Sequence, residues 1–186
     1  MMLIKKDGIS EGIIGIGATS LVIIFLLFIL KSKELTLTND FVYDGLVFSN
    51  LAAATIDLKE YGSTNKIINN DFEKSFLEYR NSLKENLRLD DNLMPNKNSM
   101  INSKVTIEVF TIYSVDGNDI EMVKRQSNGN IIRHTYTNGV GNIYTPDGVL
   151  ISSTTIYSRI GMELKGFMNE SSYFYKDSSV DITDKE

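Results

Sequence analysis

Cysteine is absent from this chain of 186 residues, and histidine occurs once, as His134. Without cysteine the protein has no disulfide, no zinc ribbon, no iron–sulfur cluster and no thiol nucleophile. A single histidine also excludes a metal site that needs two histidines from this chain. His134 lies in an alternating run, where we expect a half-buried strand residue and not a catalytic one. The sequence therefore predicts no metal, no other cofactor and no enzymatic activity.

Clustered positive charge is missing as well. The chain has 19 Lys and Arg against 24 Asp and Glu, which gives a formal net charge of −5. Nucleic-acid binding needs Lys and Arg gathered on one surface to contact phosphates, so we expect no nucleic-acid partner. Asp90–Asp91 and the run from Asp116 to Glu121 lack the spacing of a glycosidase acid/base pair or of an EF-hand loop. No small-molecule substrate is indicated.

What the sequence does contain is one long uncharged segment, the 19 residues from Gly12 to Leu30. A helix of that length spans about 28 Å, close to the hydrocarbon thickness of a bilayer, which is about 30 Å. We therefore predict a transmembrane helix over 12–30, with the lipid bilayer as a partner. A cleaved secretory signal is the alternative, but Lys31 to Leu35 offers no small-residue cleavage site behind the apolar run.

The orientation of this segment depends on its flanks. Two lysines lie close to each end, so the charges are almost balanced. A short basic tail before a first membrane helix usually stays in the cytoplasm. The sequence therefore predicts a cytoplasmic leader over 1–11 and a single-pass protein of the cell membrane, whose domain over 31–168 is extracytoplasmic.

Small residues recur on one face of the segment, because Gly8, Gly12, Gly15 and Thr19 follow one another at steps of four, three and four. Such a face lets two membrane helices approach closely, although glycine is also common in membrane helices in general. Gly12, Gly15 and Thr19 are therefore candidate helix-packing residues. Glu11 lies at the hydrocarbon edge, where a carboxylate needs either water or a positive group on a neighbouring chain.

Helical periods follow the membrane segment. Tyr43, Val47 and Leu51 begin an apolar stripe at steps of four, which predicts a helical stalk that Asn39 and Asp40 could interrupt. The cap residues from Asn69 to Asp71 introduce a second amphipathic helix. Its apolar face is predicted from the helical spacing of the following residues: Ile68, Phe72, Phe76, Tyr79, Leu83 and Leu87.

From Ser103 the apolar period becomes two, and turn signals at 116–119 and 127–130 predict an antiparallel β-meander. The first strand is expected to bury one alternating face, made of Val105, Ile107, Val109, Thr111 and Tyr113. Residues 169–186 are mostly polar and are expected to form a fraying C-terminal tail. Because helices precede strands, the predicted fold class is α+β.

The run Lys5-Lys6-Asp7-Gly8-Ile9-Ser10-Glu11, followed by an apolar helix, resembles the start of a type IV pilin or a TadE-like pseudopilin. The segment from Val149 to Phe167 is similar to the closing strands of TadE-like proteins. Such proteins carry a Gly before the processing site and a Glu a few residues later, typically at the fifth position, whereas Glu11 is third after Gly8. The resemblance implies processing after Gly8 and pairing of Glu11 with the new N-terminus of a neighbouring subunit.

The function implied by this resemblance is structural. We expect a pilin-like subunit or accessory protein of a bacterial surface or secretion apparatus, with like subunits or other membrane proteins as partners. The alternative is a single-pass protein whose outer domain binds a ligand or a partner and signals or tethers. Assembly would require Gly8 and Glu11, whereas a tethered module would tolerate their loss.

Overall fold

The computed structural model describes residues 7–54, 71–165 and 171–182, with side chains from Gly12 onward except that of Lys165. The predicted α+β class is confirmed, because within these ranges two helices precede five strands, and all the described strand pairs are antiparallel. The elements are α1 (Asp7–Ala53), α2 (Phe72–Leu87), β1 (Thr106–Asp116), β2 (Asp119–Gln126), β3 (Ile131–Tyr136), β4 (Thr154–Lys165) and β5 (Ser171–Ile182).

Helix α1 is one continuous helix of 47 residues, which joins the uncharged segment to the folded domain. Asn39 and Asp40 lie inside it without a break, so the proposed interruption is wrong. The predicted apolar stripe is also wrong, since Tyr43 and Leu51 are 44% and 48% exposed. The buried face is instead Val42, Leu46, Ser49, Asn50 and Ala53. The apolar pattern did not predict this face because two of its members are polar. Ser49 donates to the carbonyl of Gly45 within α1, and Asn50 donates to the carbonyl of Ser178 on β5.

Helix α2 begins as the sequence predicts. The Asp71 carboxylate caps it by accepting a hydrogen bond from the backbone N–H of Lys74 at 3.0 Å. Four residues of its predicted apolar face are buried and Phe76 is half-buried against the core, while Ile68 lies outside the described residues. The helix packs closely on α1, because a Cβ at Gly45 would overlap the side chain of Leu87.

The strand order is β3-β2-β1-β4-β5. The first three strands are joined by hairpins at the two predicted turns, whereas β4 lies beside β1 on its other side and not beside β3. The predicted polar tail over 169–186 is wrong for residues 171–182, because these form β5 and pair with β4 from Thr154↔Ile182 to Lys165↔Ser171. An edge strand with one solvated face tolerates the Ser and Asp residues that made this segment resemble a tail.

The predicted single buried face of β1 is also wrong. A β-bulge between Ile107 and Val109 shifts the alternation by one residue, so Ile107 before it and Phe110 and Ile112 after it pack toward the helices. Tyr113 belongs to a smaller cluster on the opposite side of the sheet. That cluster also contains Ile120, Ile151 and Tyr157.

Candidate functional site

The first half of α1 presents a long exposed apolar surface. Side chains from Ile13 to Leu30 show exposed fractions between 36% for Ile29 and 70% for Ile16, so nothing in the described chain covers them. One described helix, near the N-terminus, is long and apolar enough to cross a membrane. Such a surface is unfavourable in water, and a long apolar N-terminal helix is compatible with a single-pass membrane protein.

The predicted helix-packing residues lie together on this exposed half. A Cβ placed at Gly12 or Gly15 would meet no atom within 4 Å. The Thr19 hydroxyl donates to the backbone carbonyl of Gly15 at 2.8 Å, which satisfies its polar group inside the helix. This face therefore carries no bulky side chain, and its hydroxyl is hydrogen-bonded within the helix. No other part of the described chain packs against it.

The two processing and assembly candidates are described only by their backbone. Gly8 and Glu11 lie in the first turns of α1, and the side chain of Glu11 is outside the described residues. The structure therefore places both on the helix that carries Gly12 and Gly15. At the other end of the uncharged run, Lys31 pairs with Glu34 at 3.0 Å.

The second half of α1 is fixed to the sheet by Asn50, which sequence reasoning missed. Its Nδ2 donates to the carbonyl of Ser178 on β5 at 2.9 Å, and its Oδ1 accepts from the hydroxyl of Ser158 on β4 at 2.7 Å. Asn50 is fully buried, so both bonds are shielded from water. A polar residue on a helix gives no sequence signal for such a role, because its partners lie more than 100 residues away.

Asn50→Ala is expected to lower the free energy of unfolding by about 1–3 kcal/mol, because it leaves a buried hydroxyl and a buried carbonyl unpaired. Asp44→Ala is the matched control, since Asp44 is exposed on the same helix and should change stability by less than about 0.5 kcal/mol. Denaturant unfolding followed by circular dichroism measures both. Equal effects of the two substitutions would show that Asn50 does not fix α1 to the sheet.

Other side chains that could bind a metal or act in catalysis have structural roles instead. Among the described residues, no cluster of three or more His, Asp or Glu could hold a metal ion. His134 is exposed on the edge strand β3, which corrects the expectation of half-burial, and its ring lies edge-on to Tyr136 at 4.4 Å. Asp90 accepts from the backbone N–H groups of Asn92 and Met94 and so shapes a turn. The Lys84 ammonium beside Asp91 lowers the pKa of that carboxyl.

One buried tyrosine contacts a charged pair on the sheet face opposite the helices. Arg159 donates to the Asp177 carboxylate at 2.6 Å, and the Tyr157 hydroxyl donates to the same oxygen at 3.3 Å. Burial first, and the Asp177 charge second, raise the pKa of Tyr157, so its phenol remains protonated. The arrangement joins β4 to β5, and its tyrosine is a neutral phenol that donates to the carboxylate.

Comparison with protein-family models, with curated proteins and with solved structures gives no match for this chain.

Proposed function

We propose that the protein is a pilin-like structural or accessory subunit of a bacterial surface or secretion apparatus. One membrane helix anchors it, with the N-terminus in the cytoplasm and the α+β domain outside. The observation that carries the proposal is the continuity of α1, whose first half is exposed and apolar while its second half is buried in the domain. The role is non-enzymatic, and its specificity lies in contacts between copies or with other membrane proteins.

The continuity of α1 matters because a rigid helix holds the domain at a defined position relative to the exposed half of the helix. Asn50 fixes α1 to β4 and β5, and the close approach at Gly45 fixes it to α2. Copies that packed through their exposed halves would therefore hold their domains at defined positions. A tethered binding module needs no such rigidity, since a flexible linker would serve it equally well.

Gly8 and Glu11 supply the second support. They are the residues that would be processed and paired in a pilin-like assembly, and both lie on α1 just before the uncharged segment. A carboxylate drawn toward the hydrocarbon would be stabilised by the ammonium of a neighbouring, newly formed N-terminus. In a lone anchor the same carboxylate would be hydrated.

Gly15→Leu is expected to abolish most self-association of the full-length protein in membranes while leaving the domain folded. A Cβ at Gly15 meets no atom of the described chain within 4 Å, so a Leu there is expected to obstruct the approach of a second helix and not the fold. Gly17→Leu is the matched control. Gly17 is equally open but lies on the opposite side of the helix from Gly12 and Gly15.

Chemical crosslinking in native membranes, followed by gel electrophoresis, compares the two variants. The proposal expects loss of oligomers for Gly15→Leu and wild-type oligomers for Gly17→Leu. Wild-type crosslinking by both variants, or an uncrosslinked wild type, would favour the alternative of a tethered extracellular binding module.

A further inference from the structure

Helix α2 ends on the side of the domain that faces the uncharged segment. Near the middle of α2, Tyr79 lies beside Ser158, whose hydroxyl binds Asn50 of α1. At the last turn of α2, Leu87 lies against Gly45, which is closer than Asn50 to the uncharged segment. The two helices are therefore antiparallel, and the connection from α2 to β1 starts at the end of the domain nearest the membrane segment.

This connection, residues 88–105, also finishes at that end. α1 and β5 run in the same direction, because Asn39 contacts Lys176 and Asn50 contacts Ser178. β1 shares this direction, since β1 and β5 are both antiparallel to β4. The first residue of β1 therefore lies on the side of the uncharged segment, and residues 88–105 are named the membrane-facing loop.

The domain comes close to the bilayer. Among the described residues, burial of α1 begins at Thr38, and the helical rise puts Thr38 about 12 Å beyond Leu30. Lipid headgroups occupy roughly the first 5–8 Å outside the hydrocarbon. Charges interact over about 8 Å at physiological ionic strength. The membrane-facing end of the domain therefore lies within electrostatic range of the headgroups.

The membrane-facing loop has a buried side and an exposed side. Four of its residues are buried in the main core and fix it to the domain: Leu89, Leu93, Ile101 and Val105. Between these anchors, Met94 and Met100 are 44% and 40% exposed. An exposed apolar side chain gains free energy when it enters the boundary between headgroups and acyl chains. The exposed side of the loop is therefore suited to a lipid surface.

The exposed side also carries positive charge, on Arg88, Lys97 and Lys104. Arg88 donates to the backbone carbonyl of Asn98 at 2.8 Å, and this acceptor is neutral. The two lysines make no ion pair within the described ranges. All three cations therefore remain available to an anionic surface.

The two carboxylates of the loop do not cancel this charge. Asp91 is paired with Lys84 of α2. Asp90 accepts from the backbone N–H groups of Asn92 and Met94, so it keeps its negative charge. One such carboxylate against three cations leaves the loop positive, in a chain whose formal net charge is −5.

We infer that the membrane-facing loop docks on the headgroups of an anionic bilayer, which gives the domain a second contact with the membrane besides α1. The three cations pair with lipid phosphates, and the two methionines enter the boundary with the acyl chains. Charge complementarity and continuity with the membrane segment of α1 both favour this partner. The inference goes beyond the proposed function, since it needs only that α1 spans the membrane and not that copies assemble.

The chain contains no tryptophan, so one introduced tryptophan reports its own surroundings. Met100→Trp is made in the full-length protein, which is reconstituted into vesicles of phosphatidylcholine and phosphatidylglycerol. Its emission is expected at a shorter wavelength than that of a solvated tryptophan, and lipids brominated near the headgroup end of the acyl chain should quench it.

Tyr144→Trp is the matched control, and its emission should be that of a solvated, unquenched tryptophan. Tyr144 is 61% exposed, and its loop contacts Asn118 in the turn after β1, at the far end of that strand. Met94→Trp repeats the test at a second position of the membrane-facing loop. Circular dichroism shows whether each variant is folded.

Neutralising one cation tests the chemistry of the contact. Lys97→Gln is expected to lower the ratio of docked to undocked protein, measured by quenching, about fivefold, which is the contribution of one cation at an anionic surface. Lys74→Gln is the matched control, because Lys74 is exposed in the first turn of α2, at the end that points away from the uncharged segment. Vesicles of phosphatidylcholine alone should also give weaker quenching.

If both loop tryptophans emit like Tyr144→Trp, the docking is overturned, and the loop faces water or a protein partner instead. Quenching that is the same without phosphatidylglycerol and in Lys97→Gln would overturn the assignment to anionic lipid. These results are separable from failure of the proposed function. Quenching reports on each copy alone, whereas Gly15→Leu tests contacts between copies, so either result can fail while the other stands.

Discussion

Tyr79→Ala is expected to lower the free energy of unfolding of the domain by about 3–5 kcal/mol. Tyr79 is fully buried on α2, and its ring lies 4.9 Å from that of Phe110 on β1. Phe72 and Phe76 surround the same Phe110 ring at 5.6 and 5.5 Å. Truncation therefore opens a cavity at the centre of the contact between α2 and the sheet. For a domain of this size that loss is a large share of the total stability.

Tyr79→Phe separates ring packing from the hydroxyl. The Tyr79 hydroxyl is buried and forms no hydrogen bond of normal geometry within the described chain. Burial raises its pKa, and the nearby Ser158 hydroxyl offsets this only in part, so the phenol stays protonated. Removing it should be neutral or stabilising. Leu77→Ala, at a side chain that is 52% exposed on the same helix, should change stability by less than about 0.5 kcal/mol.

Urea unfolding can be measured on a chain that begins at Lys33, since the described core begins later, at Val42. A loss below about 1 kcal/mol for Tyr79→Ala would show that the aromatic cluster is not the centre of the core.

Ile24→Arg is expected to weaken membrane insertion, because a charge at the centre of a spanning helix costs about 2.5–3.5 kcal/mol on insertion scales. Ile24 lies in the middle of the uncharged run and is 55% exposed, so the described fold does not depend on its packing. Leu37→Arg is the matched control. Leu37 is 59% exposed on the same helix but lies beyond the uncharged segment.

Carbonate extraction of membranes measures the outcome. The wild type and Leu37→Arg should remain in the membrane fraction, and a larger share of Ile24→Arg should be extracted. Full-length wild type in the soluble fraction would contradict membrane anchoring by α1.

Local signals predicted α2 and the hairpin turns well. The cap at Asp71 and the apolar face of α2 depend on residues close in sequence, and the turns at 116–119 and 127–130 depend on local backbone preferences. The bulge in β1 could not be predicted this way, since it depends on how β1 pairs with β4. β5 was missed because its solvated face gives an edge strand the composition of a tail.

The candidate site was likewise predictable from the sequence only in part. The long uncharged segment and its small-residue face could be read from the sequence, because length and spacing along one helix define them. Asn50 could not, since its role appears only when β4 and β5 lie beneath α1. Arg80, Lys104 and Arg125 come from three separate parts of the chain, so no local pattern predicts that they line one groove beside Phe76.

The mature N-terminus of the membrane-extracted protein, determined by mass spectrometry, tests the pilin-like proposal most directly. A chain that begins at Ile9 is the predicted result, because processing after Gly8 would create the ammonium that Glu11 of a neighbouring copy can neutralise. Glu11→Gln should then abolish assembly and leave insertion intact. A chain that begins at Met1 or Met2, with assembly unaffected by Glu11→Gln, would contradict the proposal.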